Sequence, residues 1–334
     1  MFDNSTILIT GGTGSWGNEL VNCLLTKYGP KEIRVYSRGE HRQVEMKRKF
    51  GSHKNLKFII GDVRDKNILK LSMKNVDYVF HLAALKHVPI CEENTWEAVL
   101  TNIYGTQNVI ESAIDCGVKK VVDISTDKAV DPFNLYGMTK ACGEKMVVNA
   151  GFNYVCGTKF VCIRGGNVIG TNGSVIPLFK KQILEDNCIT ITDPHMTRYL
   201  MSTKQAIELV IEAVLRSLGG EIFVMRMPAT SVQIIADSMR VLFGNSTTKE
   251  IVTGCRPGEK LHESLVSKNE APHTKIVNDD YFVILPMNRS DELEELYREN
   301  KFIAQPEFTS ENAKQLDKDS LIGLLKKESW LWPK

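Results

Sequence analysis

Tyr136 and Lys140 stand four residues apart in Tyr136-Gly137-Met138-Thr139-Lys140, a spacing that makes them neighbours on one helix face. An ammonium so placed can depress the pKa of a phenol and make it a base near neutral pH. That is the group needed to take the proton of an alcohol as it is oxidised. Just upstream, Ser125-Thr126-Asp127-Lys128 ends an apolar, β-branched run, which sets Thr126, Asp127 and Lys128 at a strand end before that helix. Plainer readings exist: Tyr and Lys four apart often form only a surface pair, and Asp127-Lys128 can be a solvated pair in a loop. Position favours chemistry, because both segments lie downstream of a glycine-rich turn.

That turn is Gly11-Gly12-Thr13-Gly14-Ser15-Trp16-Gly17, between the run Thr6-Ile7-Leu8-Ile9-Thr10 and a helical pattern from Asn18 to Leu25. Glycines at 11, 14 and 17 permit a tight turn, close approach of a pyrophosphate to backbone N–H groups, and close helix-sheet packing. With Thr13, Ser15 and Trp16 they are expected to hold a dinucleotide, against the alternative of an ordinary turn. The second strand ends Tyr36-Ser37-Arg38, where a site for NAD would carry an acid for the ribose 2′-hydroxyl. Ser37 and Arg38 suit a 2′-phosphate instead, with Arg42 and Lys47 adding positive potential, so NADP is expected over NAD. Arg38 as a simple surface residue is the alternative. Asp62 and Val63 would meet the adenine edge, and Leu82, Ala83 and Ala84 would let the cofactor lie across the sheet.

The elements that position these groups are legible as alternating strands and helices. Strand-like runs occupy residues 6–10, 32–36, 56–60, 78–82 and 120–125, with segments long enough for crossover helices between them, such as 96–116. This alternation predicts an α/β Rossmann fold, a doubly wound parallel sheet with right-handed crossovers, carrying a smaller, interleaved C-terminal substrate domain. Residues 159–163 and 221–225 read as further strands of the same sheet. The expected division is therefore a cofactor domain over 1–165, with return strands within 198–228, and a substrate domain over 166–197 and 229–334. The run 290–300 reads as a solvated helix face.

Composition sets outer bounds. The 334 residues are 43% hydrophobic and 25% charged, values of a folded globular chain. Lysine plus arginine (42) nearly balances aspartate plus glutamate (40), leaving +2 and no basic field for nucleic acid or an anionic membrane. No stretch approaches the ~20 apolar residues of a membrane span, and the start has no basic leader, so a cytoplasmic location is expected. Eight cysteines at irregular spacings form no CxxC and no Cys/His cluster, so reduced thiols and no metal site are expected.

Together the glycine-rich turn, Ser125 to Lys128, and Tyr136 with Lys140 resemble the extended short-chain dehydrogenase/reductase family over essentially the whole chain. Four more segments narrow the resemblance to its inverting UDP-N-acetylglucosamine 4,6-dehydratases, which begin pseudaminic acid biosynthesis. These are His81-Leu82-Ala83-Ala84-Leu85-Lys86-His87-Val88-Pro89, Thr126-Asp127-Lys128-Ala129-Val130-Asp131-Pro132, Gly173-Ser174-Val175-Ile176-Pro177 and Arg256-Pro257-Gly258-Glu259-Lys260-Leu261. Retaining relatives carry Asp-Glu after the Thr, whereas this chain has Asp127-Lys128. Gly165 replaces a common aromatic residue, and His195 a common Arg.

The resemblance implies oxidation of the sugar at C4, elimination of water across C5 and C6, and return of hydride to C6. It makes Lys128 the C5 base and Asp127 the acid. Lysine is a base only when neutral, a state that burial and the charge of Lys140 favour. For the sugar nucleotide it implies Lys86, Asn167, Val175, Ile176, Pro177, Leu178, Phe179, Thr190, Arg198, Arg256 and Glu259. The two arginines suit a diphosphate, although either could be an ordinary surface residue. A homo-oligomer, a dimer or a higher ring, is also implied. Two other readings stay open: a UDP-sugar C4- or C5-epimerase of the same fold, and a non-catalytic dinucleotide-sensing protein.

Overall fold

A computed structural model describes residues 2–51, 53–153, 157–170, 174–255, 258–328 and 331–332, apart from the side chains of 152 and 153. Its centre is a nine-stranded sheet of β1 (Thr6–Thr10), β2 (Glu32–Ser37), β3 (Leu56–Ile60), β4 (Tyr78–His81), β5 (Lys120–Thr126), β6 (Lys159–Gly165), β7 (Ile222–Met225), β8 (Thr274–Ile276) and β9 (Tyr281–Ile284). The spatial order is β8-β9-β7-β6-β5-β4-β1-β2-β3. Strands β3 to β7 along that order pair in parallel, while β9 runs antiparallel to β7 and β8 antiparallel to β9. The α/β doubly wound sheet expected from the alternation is present, with smaller sheets in the C-terminal half.

Strand order reverses at β1, whose neighbours are β2 and β4. A crevice at the carboxyl ends of the strands is the usual consequence of such a switch point. All five residues of β1 are buried, as expected of a strand covered by helices on both faces. The register Tyr78↔Lys120 through His81↔Asp123 and on to Thr126↔Gly165 brings the ends of β4, β5 and β6 to one rim.

The helix expected over 96–116 is interrupted. Thr95–Val99 and Gly105–Asp115 are α-helical, but Leu100–Tyr104 between them is a π-helical turn. Asn102 in that turn is buried. Its Nδ2 donates to Leu85 O at 2.9 Å and to Thr139 Oγ1 at 3.0 Å, and its Oδ1 accepts from Leu85 N at 2.8 Å. It thereby ties the loop after β4 to the helix Leu135–Asn153, which carries Tyr136 and Lys140.

The same helix is anchored from behind. Arg164 on β6, 1% exposed, donates to Glu144 on the helix at 3.0 and 2.6 Å, and to both oxygens of Glu270 at 3.0 Å. A second hydrophobic core lies outside the sheet, where the helices Val175–Asp186, Val232–Phe243 and Lys318–Lys326 bury Ile176, Phe179, Ile235, Met239, Leu321 and Leu325. Hairpin β8-β9 adds residues from the C-terminal half to the main sheet. Its turn is set by Asn278, whose side chain accepts from the N–H groups of Asp280 and Tyr281.

Candidate active site

A cleft of about 740 Å³ follows the carboxyl rim of the sheet. Gly11, Thr13, Gly14, Ser15, Trp16 and Gly17 line it where β1 passes into the helix Ser15–Lys27. A Cβ at Gly17 would lie 2.2 Å from Gly12 O, so only glycine lets this helix start so close to the turn. Ser37, Arg38, Arg42, Asp62 and Val63 line one part of the cleft, and Leu82, Ala83 and Ala84 belong to the same wall system. Such a cradle, with small residues and free N–H groups at a helix N-terminus, suits an extended dinucleotide. Gln43 fixes the second-strand exit by donating to Ser37 O and Oγ, both at 3.0 Å, while Arg38 is half-exposed, its Nη1 3.8 Å from Asp62.

Lys86, Thr126, Asp127, Lys128, Tyr136, Lys140 and Asn167 line the same cleft. The turn Asp127–Ala129 and the start of the helix Leu135–Asn153 are in intimate contact. A Cβ at Gly137 would sit 2.1 Å from Lys128 O, so glycine beside Tyr136 is what lets the two groups share a site. Asp127 is 1% exposed; its Oδ1 accepts from Thr126 Oγ1 at 2.8 Å and from Lys128 Nζ at 3.1 Å. Lys260 closes over this turn by donating to Val130 O at 2.6 Å.

Charges in the site differ from the sequence expectation in two respects. Burial raises the pKa of the Tyr136 phenol; Lys140, the Thr126 hydroxyl and Lys128 oppose this without reversing it. The expected depression is thus absent in this arrangement, because an i,i+4 spacing reports the cation and not the desolvation. Lys128 was expected to tend towards neutrality. Burial does pull its pKa down, but the carboxylates of Asp127 and Glu263 outweigh that and hold it above the ordinary lysine value. Lys128 therefore rests as an ammonium. Lys140 is likewise raised, since Asp123 more than offsets its burial.

Sequence reasoning missed Asp123, Asn102 and Glu263. Asp123 lies within β5, fully buried, and its two oxygens are 3.3 and 3.2 Å from Lys140 Nζ. A carboxylate inside an otherwise apolar central strand was a usable signal. Glu263 reaches Lys128 Nζ at 3.5 Å from a distant part of the chain, which no local pattern announces.

The residues implied for a sugar nucleotide divide. Lys86 and Asn167 line the cleft. Val175, Ile176, Pro177, Leu178 and Phe179 begin the helix Val175–Asp186 and do not line it; Ile176 and Phe179 are buried in the second core. Thr190 bonds Gln182, whose Nε2 donates to it at 2.7 Å. Arg198 donates to the carbonyls of Thr197 and Leu261 at 2.8 and 3.1 Å, and its side chain is 12% exposed. Glu259 is half-buried, and Arg256 lies outside the described residues. The two departures noted in the sequence fall in different places. A Cβ at Gly165 would come within 3.8 Å of the Trp16 ring, whereas His195 is an exposed turn residue beside Asp193.

Among the described residues, no cluster of His, Cys, Asp and Glu is arranged to hold a metal ion, and no helix is long and apolar enough to cross a membrane.

Residues 7–285 match the family described as polysaccharide biosynthesis protein. A UDP-N-acetylglucosamine 4,6-dehydratase (inverting) of Campylobacter jejuni is 43% identical over 290 residues, covering 86% of this chain and 84% of that protein. A UDP-glucose 4-epimerase of Rickettsia bellii is 42% identical over 332 residues, covering 97% and 96%. The X-ray structure of Pen from Bacillus thuringiensis superposes with a TM-score of 0.89 at 38% identity, covering 98% of this chain and 99% of that one. With this cleft and these similarities, the chain belongs to the polysaccharide biosynthesis protein family, nucleotide-sugar epimerases and dehydratases built on the extended short-chain dehydrogenase/reductase fold.

Proposed function

We propose that the protein is a UDP-N-acetylglucosamine 4,6-dehydratase that inverts C5. Its product would be UDP-2-acetamido-2,6-dideoxy-β-L-arabino-hex-4-ulose, formed with loss of water at the head of pseudaminic acid biosynthesis. The observation that carries this reading is the contact between Lys128 Nζ and Asp127 Oδ1, 3.1 Å, in the cleft that Tyr136 and Lys140 line. An oxidation alone needs only the tyrosine and lysine. The additional acid-base pair has a purpose in an elimination.

Tyr136 takes the proton of the C4 hydroxyl, and the ammonium of Lys140 stabilises the phenolate that its burial disfavours. The turn Gly11 to Gly17 would hold a nicotinamide cofactor along the cleft, and that group would supply the hydride chemistry, oxidation at C4 and reduction at C6. Elimination then needs a base for the C5 hydrogen and an acid for the C6 hydroxyl. One proton passing from Lys128 Nζ to Asp127 Oδ1 turns the resting ion pair into a neutral amine and a carboxylic acid. Exclusion of water by a bound sugar favours that neutral pair, because buried charge is costly. Lys128 takes the C5 proton, Asp127 protonates the leaving hydroxyl, and a proton delivered to the opposite face of C5 gives the inverted sugar.

We infer NADP as the cofactor from Ser37, Arg38 and Arg42, which present a hydroxyl and two cations where an acid would select NAD. The substrate contacts assigned to Lys86 and Asn167 in the cleft, with Thr190, Arg198 and Glu259 outside its lining and Arg256 outside the described residues, the division into cofactor and substrate domains, homo-oligomeric assembly and a cytoplasmic setting are parts of the same proposal; the 175–179 segment, whose Ile176 and Phe179 are buried in the second core, is not.

Similarity to the Rickettsia bellii epimerase over nearly the whole chain supports a second reading, a UDP-sugar 4-epimerase. It would use Tyr136 and Lys140 and leave Asp127-Lys128 without a task. Incubation with UDP-N-acetylglucosamine and chromatography of the nucleotide sugars separates them. A 4-keto-6-deoxy product accumulates if the dehydratase reading holds, and the C4 epimer alone would replace it with the epimerase.

A further inference from the structure

We propose that Glu263 is a positioning residue for Lys128: its carboxylate fixes the amino head at the end of the cleft and, by its charge, governs how readily Lys128 passes its proton to Asp127. The inference rests on the acid-base reading of Asp127 and Lys128 given above.

Glu263 is 4% exposed, and its backbone is pinned on both sides by Ser310. Its N–H donates to Ser310 Oγ at 2.9 Å, and its carbonyl accepts from Ser310 N at 2.7 Å. Its backbone is thus fixed at the end of the antiparallel pair formed by Ser264–Val266 and Phe308–Thr309. Oε1 lies 3.5 Å from Lys128 Nζ and 3.8 Å from Arg198 Nε. Oε2 finds no hydrogen-bond donor among the described residues, and the same is true of Asp127 Oδ2. A buried, unpartnered carboxylate oxygen is rare unless it has a task.

Among the described residues, few charged groups surround Lys128. Asp127 comes from its own turn, Glu263 from the C-terminal segment, Tyr136 from the helix, and Lys86 from the loop after β4. Beyond these stand Arg198 beside Glu263, Tyr199, and the pair Lys140–Asp123 across Tyr136. His262, next in sequence, is engaged with Thr197 Oγ1 at 2.8 Å. Arg198 spends its guanidinium largely on backbone carbonyls. Glu263 therefore stabilises the ammonium, and the proton moves to Asp127 only when the charge separation it supports becomes unfavourable. Nitrogen loses one proton, the carboxylate oxygen gains it, and no other group changes state. The plainer role, a counter-ion to Arg198 alone, would leave Lys128 indifferent to Glu263.

The test is the pH dependence of Lys128 acetylation by acetic anhydride, quantified by mass spectrometry on the full-length protein with its cofactor retained. In Glu263→Gln the midpoint should fall by ~1 pH unit or more, the usual effect of removing an opposite charge at this range. Glu263→Asp should stay near wild type. If Glu263→Gln alone does not fold, the double variant Arg198→Gln/Glu263→Gln, which removes both members of the Arg198–Glu263 pair, is compared with Arg198→Gln, and its midpoint should be the lower of the two. Midpoints unmoved in the folded variants would overturn the proposal. The acid limb of any dehydration activity should shift with the acetylation midpoint. No sugar is needed for the acetylation measurement, so a wild type that makes no 6-deoxy product would sink the dehydratase reading alone.

Discussion

Lys140 Nζ lies 3.2 Å from Asp123 Oδ2, and neither side chain is more than 4% exposed. A buried ion pair stripped of one partner leaves an uncompensated charge, which costs about 3–5 kcal/mol. Asp123 raises the pKa of Lys140, so this contribution is complete below the ordinary lysine value and is lost as pH rises through the raised one. Asp123→Asn should therefore destabilise the protein by several kcal/mol in urea unfolding at pH 7. A loss below about 1 kcal/mol would show the pair to be energetically idle.

Tyr136 and Lys128 should separate the reaction into halves. Tyr136→Phe removes only a hydroxyl and should slow oxidation by ~10²–10⁴-fold with the fold intact. Lys128→Met should still give the near-ultraviolet absorbance of reduced cofactor on adding substrate, without 6-deoxy product. Near-normal turnover by either variant would move its role elsewhere.

His81 on β4 stands between Thr10 Oγ1 at 2.7 Å and Thr106 Oγ1 at 3.2 Å. Burial lowers its pKa from 6.5 to about 4; Asp123 pulls the other way, and Lys140 adds to the lowering. The unfolded chain binds this proton more readily, so stability should fall as pH drops from about 6.5 to 4, by ~3 kcal/mol from this group. Urea unfolding of His81→Gln should show a shallower loss over that interval, and an unchanged slope would contradict the assignment.

Denaturing the purified protein and analysing the released nucleotide tests the cofactor. NADP should exceed NAD, and Arg38→Asp should weaken NADP binding more than NAD binding. An excess of NAD in the wild type would show that Arg38 and Arg42 serve another purpose.

Local patterns were the legible part of this chain. The β-branched runs at 6–10 and 56–60 are strands with those bounds, and strand-turn-helix at residues 11–17 is as the glycines require. The i,i+4 tyrosine and lysine do line one cleft with Asp127 and Lys128. What escaped is set at long range. Glu263 arrives through a strand pairing far along the chain, Asn102 through a π-turn that breaks helical periodicity, and hairpin β8-β9 through antiparallel addition to a sheet that elsewhere is parallel. Protonation was harder still, because burial, which decides the direction for Tyr136, is a property of the whole fold.

The central claim, that Lys128 and Asp127 carry out an elimination at C5 and C6, is met most directly by NMR of the product made from UDP-N-acetylglucosamine in deuterated water. The account predicts a 4-keto-6-deoxy sugar with deuterium at C5 and inverted configuration there, and none from Lys128→Met. Recovery of only the C4 epimer, without deuterium at C5, would contradict it.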